Sequence, residues 1–407
     1  MSELQLPPAP AGHTLPQAFY AEEAVYRRDV RMLAQTQWLL VDHASRIPSS
    51  GDYFLFEYGD ESIIFVRDRS GQVRSFYNVC RHRGSRVLLA PEGRVAAMSC
   101  PYHSWTYDLS GALRSAQHMP DGFCKEDNGL VPLHVRVHEG LIFLNMNPTL
   151  PPDFDAFLQA AAPVLAQQRL GDAKVAARRN IPNAANWKLV VENFLECYHC
   201  KPAHPLLCSI HDERKLLAFG AGAGSGDDFA RDFEPLFNAW SQEQQSKGNY
   251  TEQHADTGPH FQAFGRLPIG RGNITESVDG RPLAPPMLKS GELDGAQIYM
   301  TFNPVSTVLA NCDYAVMFRF TPRGPQLTDA EAVFLVRGDA VAGRDYDEEE
   351  LVRFWAVTLD EDKRITQNNQ AGVNSAVYRP GLYSKQEQRI ADFTSWYLHT
   401  LEPYLRN

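Results

Sequence analysis

Apolar positions recur at helical spacing between residues 21 and 40, where Val25, Val30, Met32, Leu33 and Trp38 sit among Glu and Arg. The period then shortens. Ile63–Val66 and Val73–Val79 flank Asp-Arg-Ser-Gly-Gln, and Val87–Ala90 and Val95–Ser99 flank Pro-Glu-Gly. Trp105–Leu109 and Ala112–Arg114 flank a Ser-Gly turn, and Leu141–Met146 reads as another strand. Residues 42–150 therefore predict a small all-β module of hairpins. An arm rich in Pro and Ala (1–20) and the first helix make up residues 1–41, expected to pack on the larger domain. Pro148 to Pro152 forms a break.

Residues 151–407 predict a second, α+β domain, a helix-grip arrangement of antiparallel sheet and helices. Helical patterns cover Phe154–Gln168 and Trp187–His199. Strands are predicted next at Gln297–Phe302, Thr307–Asn311, Ala315–Thr321 and Glu331–Val336, as in a meander. A long helix is expected over 347–369 and a last one over 385–401. The segment Gly220–Gly226 invites comparison with a dinucleotide fingerprint but lacks the final Gly and a leading strand, so a mobile loop is predicted.

A length of 407 residues agrees with two domains. The net charge of −10 argues against nucleic-acid binding, which needs clustered cations. No run of about 18 apolar residues predicts a membrane span, and no basic-then-apolar start predicts a signal peptide. Seven cysteines, an odd number, read as reduced thiols or metal ligands in a cytoplasmic chain.

Two constellations carry chemistry. Cys80 and His82 form C-x-H, and after seventeen residues Cys100 and His103 form C-x-x-H. Each half offers one thiolate and one imidazole at a hairpin tip. That mixed pairing suits a [2Fe–2S] cluster with both cysteines on one iron and both histidines on the other, the Rieske ligation. A structural zinc site is the alternative, although zinc motifs commonly pair Cys with Cys and His with His. Arg81 and Arg83 are open to three readings: solvated charges, tuning of the cluster, or docking of an electron donor.

The second constellation lies in NWKLVVENFLECYHCKPAHPLL. If Trp187–His199 is one helix, Glu192, Glu196 and His199 share a face, and Pro202 ends the helix so that His204 turns back towards His199. Two imidazoles and a carboxylate with open positions form the facial triad of non-haem Fe(II) oxygenases. On the long helix, Leu351, Trp355, Thr358, Asp362 and Ile365 fall near one stripe, Asp362 being about 20° off Trp355 in projection. A carboxylate there needs a partner, either a metal or an ion pair. Asp360 and Glu361 are expected to point away.

CRHRGS and CPYHSWTYDLSG resemble the Rieske domain of ring-hydroxylating and related non-haem iron oxygenases, and His199, His204 and Asp362 match the family's D-x2-H-x4-H and distant Asp. The resemblance spans nearly the whole chain. It implies that Cys80, Cys100, His82 and His103 hold the cluster and that His199, His204 and Asp362 hold Fe(II). It further implies O₂ as co-substrate, a small organic substrate, and NAD(P)H and flavin acting only through a separate reductase. A head-to-tail homotrimer is implied because cluster and iron of one subunit are too distant for electron transfer. The bridging position, which in the family links a neighbour's Rieske histidine to the iron ligand, holds Glu196 instead of the usual Asp. A Glu there resembles the branch acting on quaternary ammonium compounds such as carnitine and glycine betaine. Tyr299, Phe302, Tyr314, Phe318 and Phe320 could cage such a cation or simply form core. Oxidation of an aromatic ring or acid is the competing function, with a Rieske electron carrier or a zinc-stapled binding protein more remote.

Overall fold

The computed structural model describes residues 6–221, 228–256 and 260–405. The chain forms two compact units, one from Ala34 to Pro152 and the other from the segment through Leu33 together with Asp153 onward.

The smaller unit contains β1 (Leu39–His43), β2 (Asp52–Tyr58), β3 (Glu61–Arg67), β4 (Val73–Tyr77), β5 (Glu92–Arg94), β6 (Met98–Ser99), β7 (Thr106–Tyr107), β8 (Leu113–Ser115), β9 (His134–His138) and β10 (Leu141–Asn145). They pair antiparallel in three sheets ordered β4-β3-β2-β5, β6-β7-β8 and β1-β10-β9. Two turns use one device. Asp68 and Asp108 each accept the N–H of the Ser two residues on at 2.8 Å, and Gly71 and Gly111 each take φ +85°. Arg74 and Arg114 then close back on those carboxylates. Gly111 has a second constraint, since a Cβ there would lie 2.4 Å from the Phe76 ring.

Two expectations fail here. The first long helix stops at Thr36, and Leu39–Val41 belongs to β1, buried on both faces, so an uninterrupted apolar run is strand. Val87–Ala90 is irregular and the expected turn at Glu92–Gly93 is itself β5. The cause is Asn78, whose Oδ1 accepts the Val87 and Leu88 N–H groups at 2.9 Å, so neither N–H can join a ladder.

The larger unit is mixed, as expected. Its helices are α1 (Gln17–Ala21), α2 (Glu23–Thr36, shared with the smaller unit), α3 (Asp155–Gln168), α4 (Trp187–Phe194), α5 (Cys200–Ala203), α6 (Pro205–Ile210), α7 (Glu213–Ala221), α8 (Asp228–Ser246), α9 (Glu348–Val373) and α10 (Gln388–Leu405). Strands β11 (Ala173–Asn183), β12 (Gln253–Asp256), β13 (Gln262–Pro268), β14 (Ala296–Asn303), β15 (Ser306–Asn311), β16 (Ala315–Gly324) and β17 (Leu327–Arg337) form one antiparallel sheet ordered β11-β17-β16-β15-β14-β13-β12. The predicted loop at Gly220–Gly226 starts inside α7 and otherwise lies outside the described residues.

Helix α9 begins at Asp347, which caps the Glu349 and Glu350 N–H groups, and packs on β11 and β17. A fully buried Asp29 on α2 fixes the unit's helices. Its carboxylate accepts from Trp187 Nε1 and Tyr397 Oη at 2.9 and 2.8 Å and pairs with Lys188. Among the described residues, no helix is long and apolar enough to cross a membrane.

Candidate metal centres

Two loops of the smaller unit repeat one another. Cys80 N–H bonds Ser85 O and Gly84 N–H bonds Cys80 O, while Cys100 N–H bonds Trp105 O and Ser104 N–H bonds Cys100 O. Gly84 and Ser104 occupy matching left-handed positions, φ +78° and +59°. The cysteines lie in the hydrophobic core with Trp105, Tyr107 and Leu130, whereas His82 and His103 are exposed. Their rings meet at 4.7 Å, and His82 stacks on Trp105. Residual desolvation and repulsion from His82 and Arg83 hold His103 below its usual range. Burial pushes the Cys80 thiol up, partly offset by Tyr107. The Tyr107 hydroxyl accepts the Arg81 N–H at 3.0 Å, leaving its own proton for Cys80 Sγ at 3.3 Å.

In the larger unit, Trp187–His199 is not one helix. Asn186 caps α4 through the Lys188 N–H, and α4 ends at Phe194. A tight turn replaces its next coil. One Glu196 oxygen accepts the N–H groups of Tyr198 and His199, and Cys197 is disulfide-bonded to Cys200 across them, Cα atoms 4.8 Å apart. The expectation of reduced thiols fails for this pair. Pro202 lies inside α5 rather than ending a helix, and Pro205 opens α6 after His204. Glu192 does not share a face with His199 and is buried against Tyr20.

The turn nonetheless brings the predicted ligands together. His199 Nε2 lies 3.1 Å from His204 Nε2, and Asp362 Oδ1 lies 2.9 Å from His204 Nε2 and 3.4 Å from His199 Nε2. The ligand atoms of the three residues all fall within 4.8 Å of one another. The outward nitrogens are held by other carboxylates. His199 Nδ1 donates to Glu196 Oε1 at 2.5 Å and His204 Nδ1 to Glu361 Oε2 at 2.8 Å. With a divalent cation in place of a proton, both Nε2 atoms would turn lone pairs, with one carboxylate oxygen, on a single point, and such a cation fits that donor set. Burial opposes charge on His199, but hydrogen bonds to Asp362 and Glu196 outweigh it and push the imidazole up to about 9. Burial would raise Asp362, but its bonds to His199 and His204 hold it below the ordinary range. The site attracts positive charge.

Residues 170–402 match the family described as ring hydroxylating alpha subunit (catalytic domain), and residues 37–133 match the Rieske [2Fe-2S] domain. The glycine betaine monooxygenase oxygenase subunit of Chromohalobacter salexigens is 37% identical over 398 residues, 96% of this chain and 86% of that protein. The chain belongs to the Rieske-type ring-hydroxylating oxygenase alpha subunits. A solved quaternary ammonium Rieske monooxygenase shares the oxygenase's fold with a TM-score of 0.71 at 23% identity, covering 98% of this chain and 96% of that one. Naphthalene 1,2-dioxygenase from Rhodococcus sp. does so with a TM-score of 0.67 at 19% identity, covering 95% and 94%.

As an oxygenase of this family the chain uses a Rieske [2Fe–2S] cluster and a mononuclear iron, with a separate reductase supplying electrons from NAD(P)H to oxidise a small molecule. Sequence reasoning missed Glu361, placed away from the stripe, and Asn193, whose Nδ2 reaches His199 Nε2 at 3.1 Å. Consecutive positions on a helix differ by about 100°, so projection alone steers Glu361 aside. Its longer side chain reaches back beside Asp362. A cavity opens from the centre, lined by Phe194, Phe320, Trp355, Tyr299, Lys215 and Arg389 among others. Of the five candidate cage aromatics only Tyr299 and Phe320 line it. Phe302 packs on Phe154 and Phe157, Tyr314 on Phe334, and Phe318 behind Phe194 and Trp355.

Proposed function

We propose that this oxygenase removes a methyl group from a quaternary ammonium compound of the betaine type. The observation that carries the reading is the 37% identity, along 96% of the chain, to a glycine betaine monooxygenase oxygenase subunit. The aromatic wall of the cavity supports it, since Phe194, Phe320 and Trp355 line it and aromatic rings attract a trimethylammonium group. One methyl C–H becomes C–OH. The C–N bond then cleaves with its electron pair staying on nitrogen, the hydroxyl proton leaves, and formaldehyde and the tertiary amine are released. One O₂ and one NAD(P)H with its proton are consumed, and water takes the second oxygen.

His199, His204 and Asp362 hold the mononuclear iron, which when bound supplies O₂ activation, and Cys80, Cys100, His82 and His103 hold the cluster. Glu196 orients His199 through Nδ1 and, in a head-to-tail homotrimer, connects it to His103 of a neighbouring subunit. A carboxylate that already bonds one imidazole still has lone pairs for a second. The residue roles, the trimer and the substrate are one reading. Purified oxygenase with a surrogate reductase should consume NADH and release formaldehyde in equal amounts with glycine betaine or carnitine. Turnover of an aromatic acid, with no formaldehyde from any betaine, contradicts it.

A further inference from the structure

Beyond the metal ligands, the cavity wall carries a charged cluster that iron chemistry does not use. Lys215 on α7 is buried, its ammonium 3.1 Å from His211 Nδ1 and 3.5 Å from Gln297 Oε1. His211 Nε2 donates to Glu276 Oε1 at 2.9 Å, and Asn311 donates to Glu276 Oε2 at 3.3 Å, so both oxygens of that carboxylate are occupied. Arg389 on α10 lies over the Phe219 ring, 4.5 Å from its centroid. Among the described residues it has no ion-pair partner, and Asp392 acts on it only from further off.

Charge does not balance at these positions. Apart from Glu196 and Asp362, which face the metal point, Lys215 and Arg389 bring two cations to the wall against the one carboxylate of Glu276. A cation left unpaired in a part-buried wall is costly unless an anion joins it. The iron ligands and the Phe194–Phe320–Trp355 aromatics come from α4, its following turn, the α5–α6 junction, α9 and β16, whereas the cations come from α7 and α10. One cavity thus offers aromatic faces beside the metal point and an uncompensated positive charge on other elements. That pattern matches a zwitterion with a methylated cation and a carboxylate.

We propose that Arg389, assisted by Lys215, forms a carboxylate-binding subsite that selects zwitterionic N-methyl substrates over cations lacking the carboxylate. This rests on the quaternary ammonium reading above. Arg389 and Lys215 are specificity residues, binding the anionic end so that the methyl groups face His199, His204 and Asp362.

Calorimetric titration of the iron-loaded oxygenase with glycine betaine and with choline, which keeps the trimethylammonium group but has no carboxylate, tests this. The unaltered protein should bind glycine betaine at least 10-fold tighter than choline. Arg389→Met should shrink that ratio by roughly 10- to 100-fold, as expected for a lost charged hydrogen bond, with Lys215→Met acting in the same direction. A ratio taken within one preparation is insensitive to loss of folded material. Equal binding of the two ligands by the unaltered protein, or a ratio unchanged in Arg389→Met, overturns the subsite while formaldehyde release from glycine betaine still upholds the substrate class. Failure to bind either ligand, with no formaldehyde from any N-methyl compound, overturns both.

Discussion

His199 and His204 each present Nε2 to the metal point because a carboxylate grips Nδ1, Glu196 in one case and Glu361 in the other. Losing such an outer partner typically weakens metal affinity by about 10- to 100-fold. Glu361→Ala should therefore lose mononuclear iron to a chelator at concentrations that leave the unaltered protein loaded, with the cluster spectrum unchanged. Equal retention would show that His204 needs no such support. At the other centre, Cys80 would hold the cluster, and the Tyr107 proton directed at its Sγ would favour the more electron-rich, reduced state. Tyr107→Phe should lower its reduction potential in a redox titration, and an unchanged potential would place that proton elsewhere. The candidate ligands at both centres stand out in the sequence because spacing sets most of them in pairs. Glu361, Asn193 and Tyr107 were not, since each reaches its partner through side-chain length or a sheet register that spacing does not encode.

Among the elements, the meander, α3, α9 and α10 were legible from periodicity, and β11 and α7 were not singled out. The clearest miss was α4, read five residues too long. Its apolar pattern runs on, but Glu196 gives its carboxylate to the backbone of Tyr198 and His199, a side-chain competition with helix hydrogen bonds that hydrophobic period cannot reveal. Glu192, expected on one face with Glu196 and His199, instead accepts from Tyr20 at 2.9 Å inside the helical layer. Burial pushes it up to about 8 from an ordinary 4.5, so the folded chain keeps a proton that the unfolded chain releases. Its contribution to stability is complete below about pH 4.5 and declines as pH rises through 8. Between pH 5 and 8.5 the Tm of the unaltered protein should fall relative to that of Glu192→Gln. Parallel curves would mean that Glu192 ionises freely in the fold.

At the scale of the whole molecule, the sequence pointed to a small β module over 42–150 and an α+β body beyond it; the compact units are Ala34–Pro152 and the segment through Leu33 together with Asp153 onward. The relay proposed through Glu196 would operate between subunits of an assembled oxygenase. Glu196→Ala should keep both metal centres yet cut NADH-coupled formaldehyde release by orders of magnitude, and near-normal turnover would remove Glu196 from the electron path. The proposed chemistry depends foremost on an iron held by His199, His204 and Asp362, separate from the cluster. Iron per chain, measured by mass spectrometry beside the visible cluster spectrum, tests it most directly. Asp362→Ala should contain one iron fewer than the unaltered protein with its cluster absorption intact; undiminished iron in that variant, or the same loss in Asp360→Ala, would contradict the assignment.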